Sequence, residues 1–367
     1  MVSIVLAGGG TAGHTSPLIA TAERLREATD AEGGILLTCI GTPKGLESTV
    51  IPAAGLPLRM IPPVPMPRRL TPALFAVPGR LFGAVRQARA ILDEVGADAV
   101  VGFGGYVSLP VYLAARRAKL PVVIHEQNAV PGLANKVAAR FARVVAVSFP
   151  GTPLPGARYV GLPVRAAISD LDRAARRDAA RAAWALPPGP VLLVSGGSQG
   201  AVAINTATID AMPDLLRAGV SVLHVLGPKN AGAAPERTTD PGTGAAYVPV
   251  GYVDAMEDAY AAADMMVARS GAGTVVETAT VGLPTLFVPL PHGNGEQARN
   301  ADFLIEADAA VLVPNGELDA ARLLGEVLPR ITDPGTLATM SAALGGLVPR
   351  DAARDLAAIV LDAAAGR

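Results

Sequence analysis

The chain reads as an α/β protein of two doubly wound, parallel-sheet domains facing across a cleft. Three observations predict this. Short apolar runs alternate with longer, alanine-rich stretches, which implies strands separated by helices and sheets covered on both faces. A strand, a glycine turn and a helix follow one another twice, at 3–14 and again at 191–205. The 367 residues also exceed one ordinary core. Each half is therefore expected to be Rossmann-like.

In chain order, the strands of the first domain are expected at 2–7, 35–40, 98–102, 121–125 and 143–147. Those of the second are expected at 190–194, 221–226, 246–250, 264–268, 284–288 and 310–313. Most gaps between them carry helical patterning. In 72–92, Leu74, Leu81, Val85, Ala88 and Leu92 recur at helical spacing and mark a core-facing stripe. A Pro- and Gly-rich loop at 149–156 precedes the boundary, which falls near 161–165 and gives domains 1–163 and 164–347. A final helix, about 348–367, follows a Gly-Gly-Leu-Val-Pro break and is a candidate to pack back on the first domain.

Composition narrows the function. Half of the residues are hydrophobic and 17% are charged, as in a globular chain. A net charge of -1 argues against a general nucleic-acid binder. Cys39 is the single cysteine, so no intrachain disulfide and no multi-cysteine metal site can form. His14, His125, His224 and His292 lack metal-ligand spacing, and no structural metal is expected. The first residues run directly into an apolar strand without a basic leader. No run of about 18 apolar residues is present to span a bilayer. These features describe a cytosolic α/β enzyme.

In open α/β sheets, ligands gather outside the carboxyl ends of the strands. The loops there carry the chemistry. Gly8-Gly9-Gly10-Thr11-Ala12-Gly13 satisfies G-x-G-x-x-G, where glycines admit an anion to the backbone at a helix N-terminus. A dinucleotide site also needs an acid ending the second strand, but that strand runs into Cys39-Ile40-Gly41-Thr42-Pro43. A nicotinamide or flavin enzyme is thereby disfavoured, and a tight turn without a ligand stays open. His14 starts the following helix, where neighbouring donors and the helix dipole lower its pKa and suit a neutral base.

Gly196-Gly197-Ser198-Gln199-Gly200 is a second glycine loop, whose Ser198 and Gln199 add side-chain donors suited to a leaving pyrophosphate. His125-Glu126-Gln127-Asn128 ends a strand with four polar side chains, a set suited to sugar hydroxyls, and Glu126 is a second base candidate. A merely hydrated loop is the alternative. Gly102 to Ser108 forms a third glycine-rich turn. In 269–277, Thr274 and Glu277 share a helix face. T-x-x-E is also a capping box, so Glu277 either caps its helix or holds ribose hydroxyls. Pro291 to Gln297 is polar enough to touch a sugar.

Residues 48–92 hold six arginines (Arg59, Arg68, Arg69, Arg80, Arg86, Arg89) and no Asp or Glu. Phe75 and Phe82 lie beside the apolar stripe. Basic and exposed apolar residues together suit an anionic membrane surface, and a solvated arginine face over a normal core is the alternative.

The loops taken together resemble the MurG family of N-acetylglucosaminyltransferases. The resemblance rests on AGGGTAGH (7–14), GFGGYVS (102–108), HEQN (125–128), GLPVR (161–165), GGSQGA (196–201) and RSGAGTVVE (269–277), in that order. It implies a GT-B fold and inverting transfer of GlcNAc from UDP-GlcNAc to the 4-hydroxyl of the MurNAc in lipid I, giving lipid II for peptidoglycan. UDP-GlcNAc would be a substrate, and no cofactor is implied. Thr11, Ala12 and Gly13 would lie at the donor sugar and phosphates, and Asn128 at the GlcNAc. Arg165 and Ser198 would meet the diphosphate, and Val253 would offer backbone groups to uracil. Ala272, Gly273 and Thr274 would line the phosphate pocket, with Glu277 on the ribose and Glu296 and Gln297 at the donor sugar. The sequence departs from the family at Leu162, often Asn, at Glu296, usually Gln or His, and at Ala12, commonly Gly. The resemblance places the enzyme on the cytoplasmic face of the bacterial plasma membrane. There Arg68, Arg69, Phe75, Arg80, Phe82 and Arg86 would meet anionic lipid, with cell-wall synthesis or division proteins as further partners. Another UDP-sugar-dependent lipid transferase and a UDP-GlcNAc 2-epimerase are the alternatives.

Overall fold

The computed structural model describes residues 1–29, 34–43, 45–64, 73–197, 200–230, 232, 235–291 and 295–366. The chain divides into two compact units, one of Met1–Arg165 with Pro349–Arg367 and one of Ala166–Val348.

The strands of the first unit are β1 (Val2–Ala7), β2 (Ile35–Gly41), β3 (Leu58–Met60), β4 (Ala99–Gly102), β5 (Val122–Glu126), β6 (Val144–Val147) and β7 (Ala157–Tyr159). They form a parallel sheet in the order β3-β2-β1-β4-β5-β6-β7. The period-2 alternation of side chains divides β1 between two cores. Val5 and Ala7 pack with Val85, Ala88 and Leu92 of the helix Ala73–Glu94 and with Val111 and Ala115 of the helix Ser108–Ala118. Ile4 and Leu6 pack with Leu18, Ala22 and Leu25 of the helix Ala12–Thr29 and with Leu356 and Val360 of the helix Ala352–Ala364. The last helix of the chain therefore completes the core of the first unit. Fully burying a leucine stabilises by about 1.5–3 kcal/mol, so Leu356 is a substantial part of that core.

The second unit repeats the plan with β8 (Val191–Ser195), β9 (Ser221–Val225), β10 (Thr238–Thr239), β11 (Ala246–Val250), β12 (Met265–Ala268), β13 (Thr285–Phe287) and β14 (Ala310–Leu312). Its order is β10-β11-β9-β8-β12-β13-β14. Leu192 and Val194 face the helices Val202–Arg217 and Ala320–Ile331, whereas Val191 and Leu193 face Arg173–Ala183 and Met256–Ala262. One correction applies here. The sheet is not wholly parallel, because the two-residue β10 pairs antiparallel with β11 at the edge.

In both sheets the strand order reverses beside the first strand, between β1 and β4 and between β8 and β12. Crevices open at such switch points, outside the carboxyl ends of the strands. The loops after Ala7, Gly102, Ser195 and Ala268 are the ones that lie there. Among the described residues, no helix is long and apolar enough to cross a membrane.

Candidate functional site

In the first unit, two glycine turns meet backbone to backbone. A Cβ on Gly105, whose φ is +81°, would lie 2.5 Å from the Gly9 carbonyl oxygen. The Ser108 hydroxyl reaches both the Ala7 carbonyl (2.9 Å) and the Gly104 carbonyl (2.6 Å), tying the loop after β4 to the end of β1. His14 stands over this junction in the first turn of its helix. Its Nδ1 is 2.9 Å from Thr11 Oγ1, and a Cβ on Gly104 would come within 3.5 Å of its Nε2. Burial pushes His14 down to about 4, against the raising influence of Glu47, so the imidazole is neutral near pH 7. Desolvation is the cause here, ahead of the donors and dipole expected from the sequence. Ala12 is half-buried, and Thr11 and Gly13 are exposed at the helix start.

Beneath the loop lies Glu47, a residue that the sequence reading missed. It is fully buried, and its carboxylate accepts from Gly10 N (2.7 Å), Thr42 N (3.0 Å) and Thr42 Oγ1 (2.8 Å). Burial raises the carboxyl, but those donors outweigh it and hold Glu47 below the usual carboxylate range. The second strand does lead to an acid, but that acid turns inward onto the glycine loop.

The expectation of four polar side chains aimed at a sugar after β5 is corrected. His125, Glu126 and Gln127 are buried, and of the four only Asn128 is partly exposed. His125 Nε2 meets the Gly161 carbonyl at 2.8 Å, and its Nδ1 meets Gln127 Nε2 at 3.1 Å, a pattern that fits the neutral Nε2–H tautomer. Glu126 accepts from Asn128 N (3.0 Å), Gly132 N (3.0 Å) and Asn135 Nδ2 (2.9 Å). Burial raises its pKa against these bonds. Both of its oxygens are engaged away from solvent, which removes Glu126 as a base and makes it the brace of the Asn128 turn. Tyr112 donates to Asn135 Oδ1 (2.8 Å) and fixes that amide in turn. Neither Asn135 nor Tyr112 belongs to a motif, and both came to light only in the fold. Arg165 is half-buried at the end of the unit and acts electrostatically on Glu23.

In the second unit, the helix Ala272–Thr280 starts at Gly271 with no side-chain cap and no acid in its first turn. The first N–H groups of a helix lack intrahelical acceptors, so Ala272, Gly273 and Thr274 present them at the switch point. The capping-box reading of Thr274 and Glu277 fails, because Gly271 is the cap and Glu277 takes its hydrogen bond from Tyr260 Oη at 2.7 Å. Arg173 braces this region. It donates to the Tyr260, Ala263, Val281 and Gly282 carbonyls at the ends of two helices. Arg269 bonds the Val288 and Pro289 carbonyls, and Asn300 the Ser270 carbonyl, joining the loops after β12 and β13. Gln297 Oε1 accepts from Leu290 N (3.0 Å), and Glu296 opens its short helix, where a carboxylate suits the dipole. Val253 is buried beside exposed Tyr252. Ser198 and Gln199 lie outside the described residues.

The arginine-rich stretch is partly neutralised. Arg59 pairs with Glu94, and Arg89 with Asp93, acids that lie just past the acid-free window. Arg80 and Arg86 are exposed, and Phe75 and Phe82 are 90% and 66% exposed. Arg68 and Arg69 lie outside the described residues.

Two doubly wound α/β units, each with a glycine turn at the switch point of its sheet, are the architecture of the GT-B glycosyltransferases. Residues 4–147 match the glycosyltransferase family 28 N-terminal domain, and residues 191–356 match the C-terminal domain of that family. The chain belongs to the MurG family. It is 63% identical to the UDP-N-acetylglucosamine--N-acetylmuramyl-(pentapeptide) pyrophosphoryl-undecaprenol N-acetylglucosamine transferase of Cutibacterium acnes, over 99% of this chain and 98% of that relative. It is 54% identical to the enzyme of the same name from a Nocardioides species, over 99% and 98%. Among solved structures, Acinetobacter baumannii MurG superposes with a TM-score of 0.77 at 27% identity, covering 99% of this chain and 100% of that one. A Phytolacca americana transferase solved with UDP-2fluoro-glucose shares the fold at 16% identity and a TM-score of 0.69, with full coverage of both chains.

Proposed function

We propose that this enzyme transfers N-acetylglucosamine from UDP-GlcNAc to the 4-hydroxyl of the MurNAc of lipid I, with inversion at the anomeric carbon and release of UDP. The end-to-end likeness to relatives named for this reaction carries the reading. Those names lend no support to a different lipid acceptor or to a 2-epimerase.

The acceptor hydroxyl attacks the anomeric carbon in line as the C–O bond to UDP breaks. Its proton passes to His14 Nε2. For that, Nδ1 must carry the ring proton and donate it to Thr11 Oγ1, which leaves the Nε2 lone pair free. The negative charge on the departing UDP is met by the N–H groups at Ala272 to Thr274 and by the start of the helix at Val202, with Arg165 and Ser198 assisting. Glu277, steadied by Tyr260, takes the ribose hydroxyls. Val253 reads uracil through its backbone, and Asn128, Glu296 and Gln297 take the donor sugar. Phe75, Phe82, Arg80 and Arg86 meet an anionic membrane surface, where the lipid-linked acceptor resides.

The test is transfer of radiolabelled GlcNAc from UDP-GlcNAc to a short-chain lipid I analogue, with UDP release followed in parallel. Labelled disaccharide lipid establishes donor and acceptor together. UDP release without that product overturns the acceptor, and no turnover of UDP-GlcNAc overturns the reaction.

A further inference from the structure

Glu47 lies outside every motif that led to the site, yet three glycines surround its side chain. A Cβ on Gly9 would lie 2.5 Å from its carboxyl carbon, and one on Gly41 would lie 2.7 Å from its Cγ. A Cβ on Gly45 would overlap the carboxylate itself. The loop after β1 and the loop after β2 are thus shaped around one carboxylate. That carboxylate accepts from Gly10 N in the first loop and from Thr42 N and Oγ1 in the second. Gly10 has a φ of +93° and directly precedes Thr11, the residue bonded to His14 Nδ1. A buried, charge-assisted clamp of this kind fixes the backbone more firmly than neutral bonds do. It ends one residue from the partner that orients the imidazole.

We infer that Glu47 is a positioning residue for transfer, an internal anion that closes the first glycine turn and sets the place of Thr11 and His14. The inference rests on His14 being the base. Gly10 N–H is directed inward to this carboxylate, so the turn carries an anion of its own beneath it and serves as a scaffold for the base. A catalytic group displaced by even about 1 Å can lose on the order of a hundredfold in rate.

The experiment compares Glu47→Ala, Gly9→Ala, the double variant and His14→Ala in the intact enzyme, assayed with UDP-GlcNAc and a short-chain lipid I analogue. Glu47→Ala is expected to lower kcat by about 10- to 100-fold, with KM for UDP-GlcNAc within about twofold of wild type. Added formate, which can occupy the vacated space and accept the same N–H groups, is expected to restore part of the rate. Gly9→Ala is expected to be similarly slow alone but no worse than Glu47→Ala in the double variant, because the steric conflict has gone. Full kcat in Glu47→Ala beside a crippled His14→Ala would sink the positioning role alone. Full kcat in His14→Ala would sink the base on which it rests. Loss in Glu47→Ala that formate does not relieve, with Gly9→Ala adding to it, would overturn the clamp and mark a purely structural role.

Discussion

The strand-to-helix turn after β1 and the one after β12 start alike and end differently. After β1, the Gly10 amide is claimed by the Glu47 carboxylate, so the anion belongs to the protein. After β12, the helix from Ala272 has neither a side-chain cap nor an acid in its first turn. A helix N-terminus attracts negative charge wherever it occurs. After β1 the chain has itself supplied one such charge, and in the first turn of the helix from Ala272 it has supplied none. G-x-G-x-x-G spacing, met only by the first turn, does not reveal this.

The contrast can be broken most sharply at His14. His14→Ala is expected to lower kcat about 10²- to 10⁴-fold, the range of general base catalysis, with the Kd for UDP within about twofold by calorimetry. A matching loss of UDP affinity would mean that His14 acts in nucleotide binding and not as the base. Glu277→Ala tests the other side. It should weaken UDP about 10- to 100-fold through the loss of charged hydrogen bonds, and unchanged affinity would take Glu277 out of the ribose site and leave it a structural role beside Tyr260.

A smaller effect compares the cores. Besides His14, burial lowers a core histidine in each unit among the described residues, His125 in the first and His224 in the second, and pushes each down to about 4. The unfolded chain, with its ordinary value of 6.5, takes up the proton first. Stability is therefore complete above pH 6.5 and is lost as pH falls toward 4, by up to about 1.4 kcal/mol per pH unit for each histidine. Urea unfolding at pH 7 and pH 5 should show this, and His224→Gln should flatten the loss in the second unit. Equal slopes in variant and wild type would refute the assignment. The mildest effect lies outside both sites. Phe75→Ser and Phe82→Ser should leave stability within about 0.5 kcal/mol, as surface changes do. They should reduce sedimentation with anionic vesicles about tenfold, and undiminished sedimentation would remove this patch as the membrane contact.

The sequence announced the buried framework more clearly than the margins. The eleven expected strands all formed, because runs such as Val191-Leu192-Leu193-Val194 leave few alternatives. The strands β3, β7 and β10 were missed, since edge segments of two or three residues such as Leu58-Arg59-Met60 carry no apolar run. Around the site, motifs located the loops but could not say which way a side chain turned. His125-Glu126-Gln127 looked outward in sequence and points inward, because Glu126 turns back to accept from the backbone N–H groups of Asn128 and Gly132. Glu47 left no local signal, since the glycines that cradle it are spread over Gly9, Gly41 and Gly45.

The helix Ala352–Ala364 has a consequence for how the molecule is made. It supplies Leu356 and Val360 to the core under β1, yet it is synthesised after the whole of Ala166–Val348. On the ribosome, the second unit, continuous in sequence, can close while the first still exposes the Ile4 and Leu6 face of its sheet. The first unit is begun first and finished last.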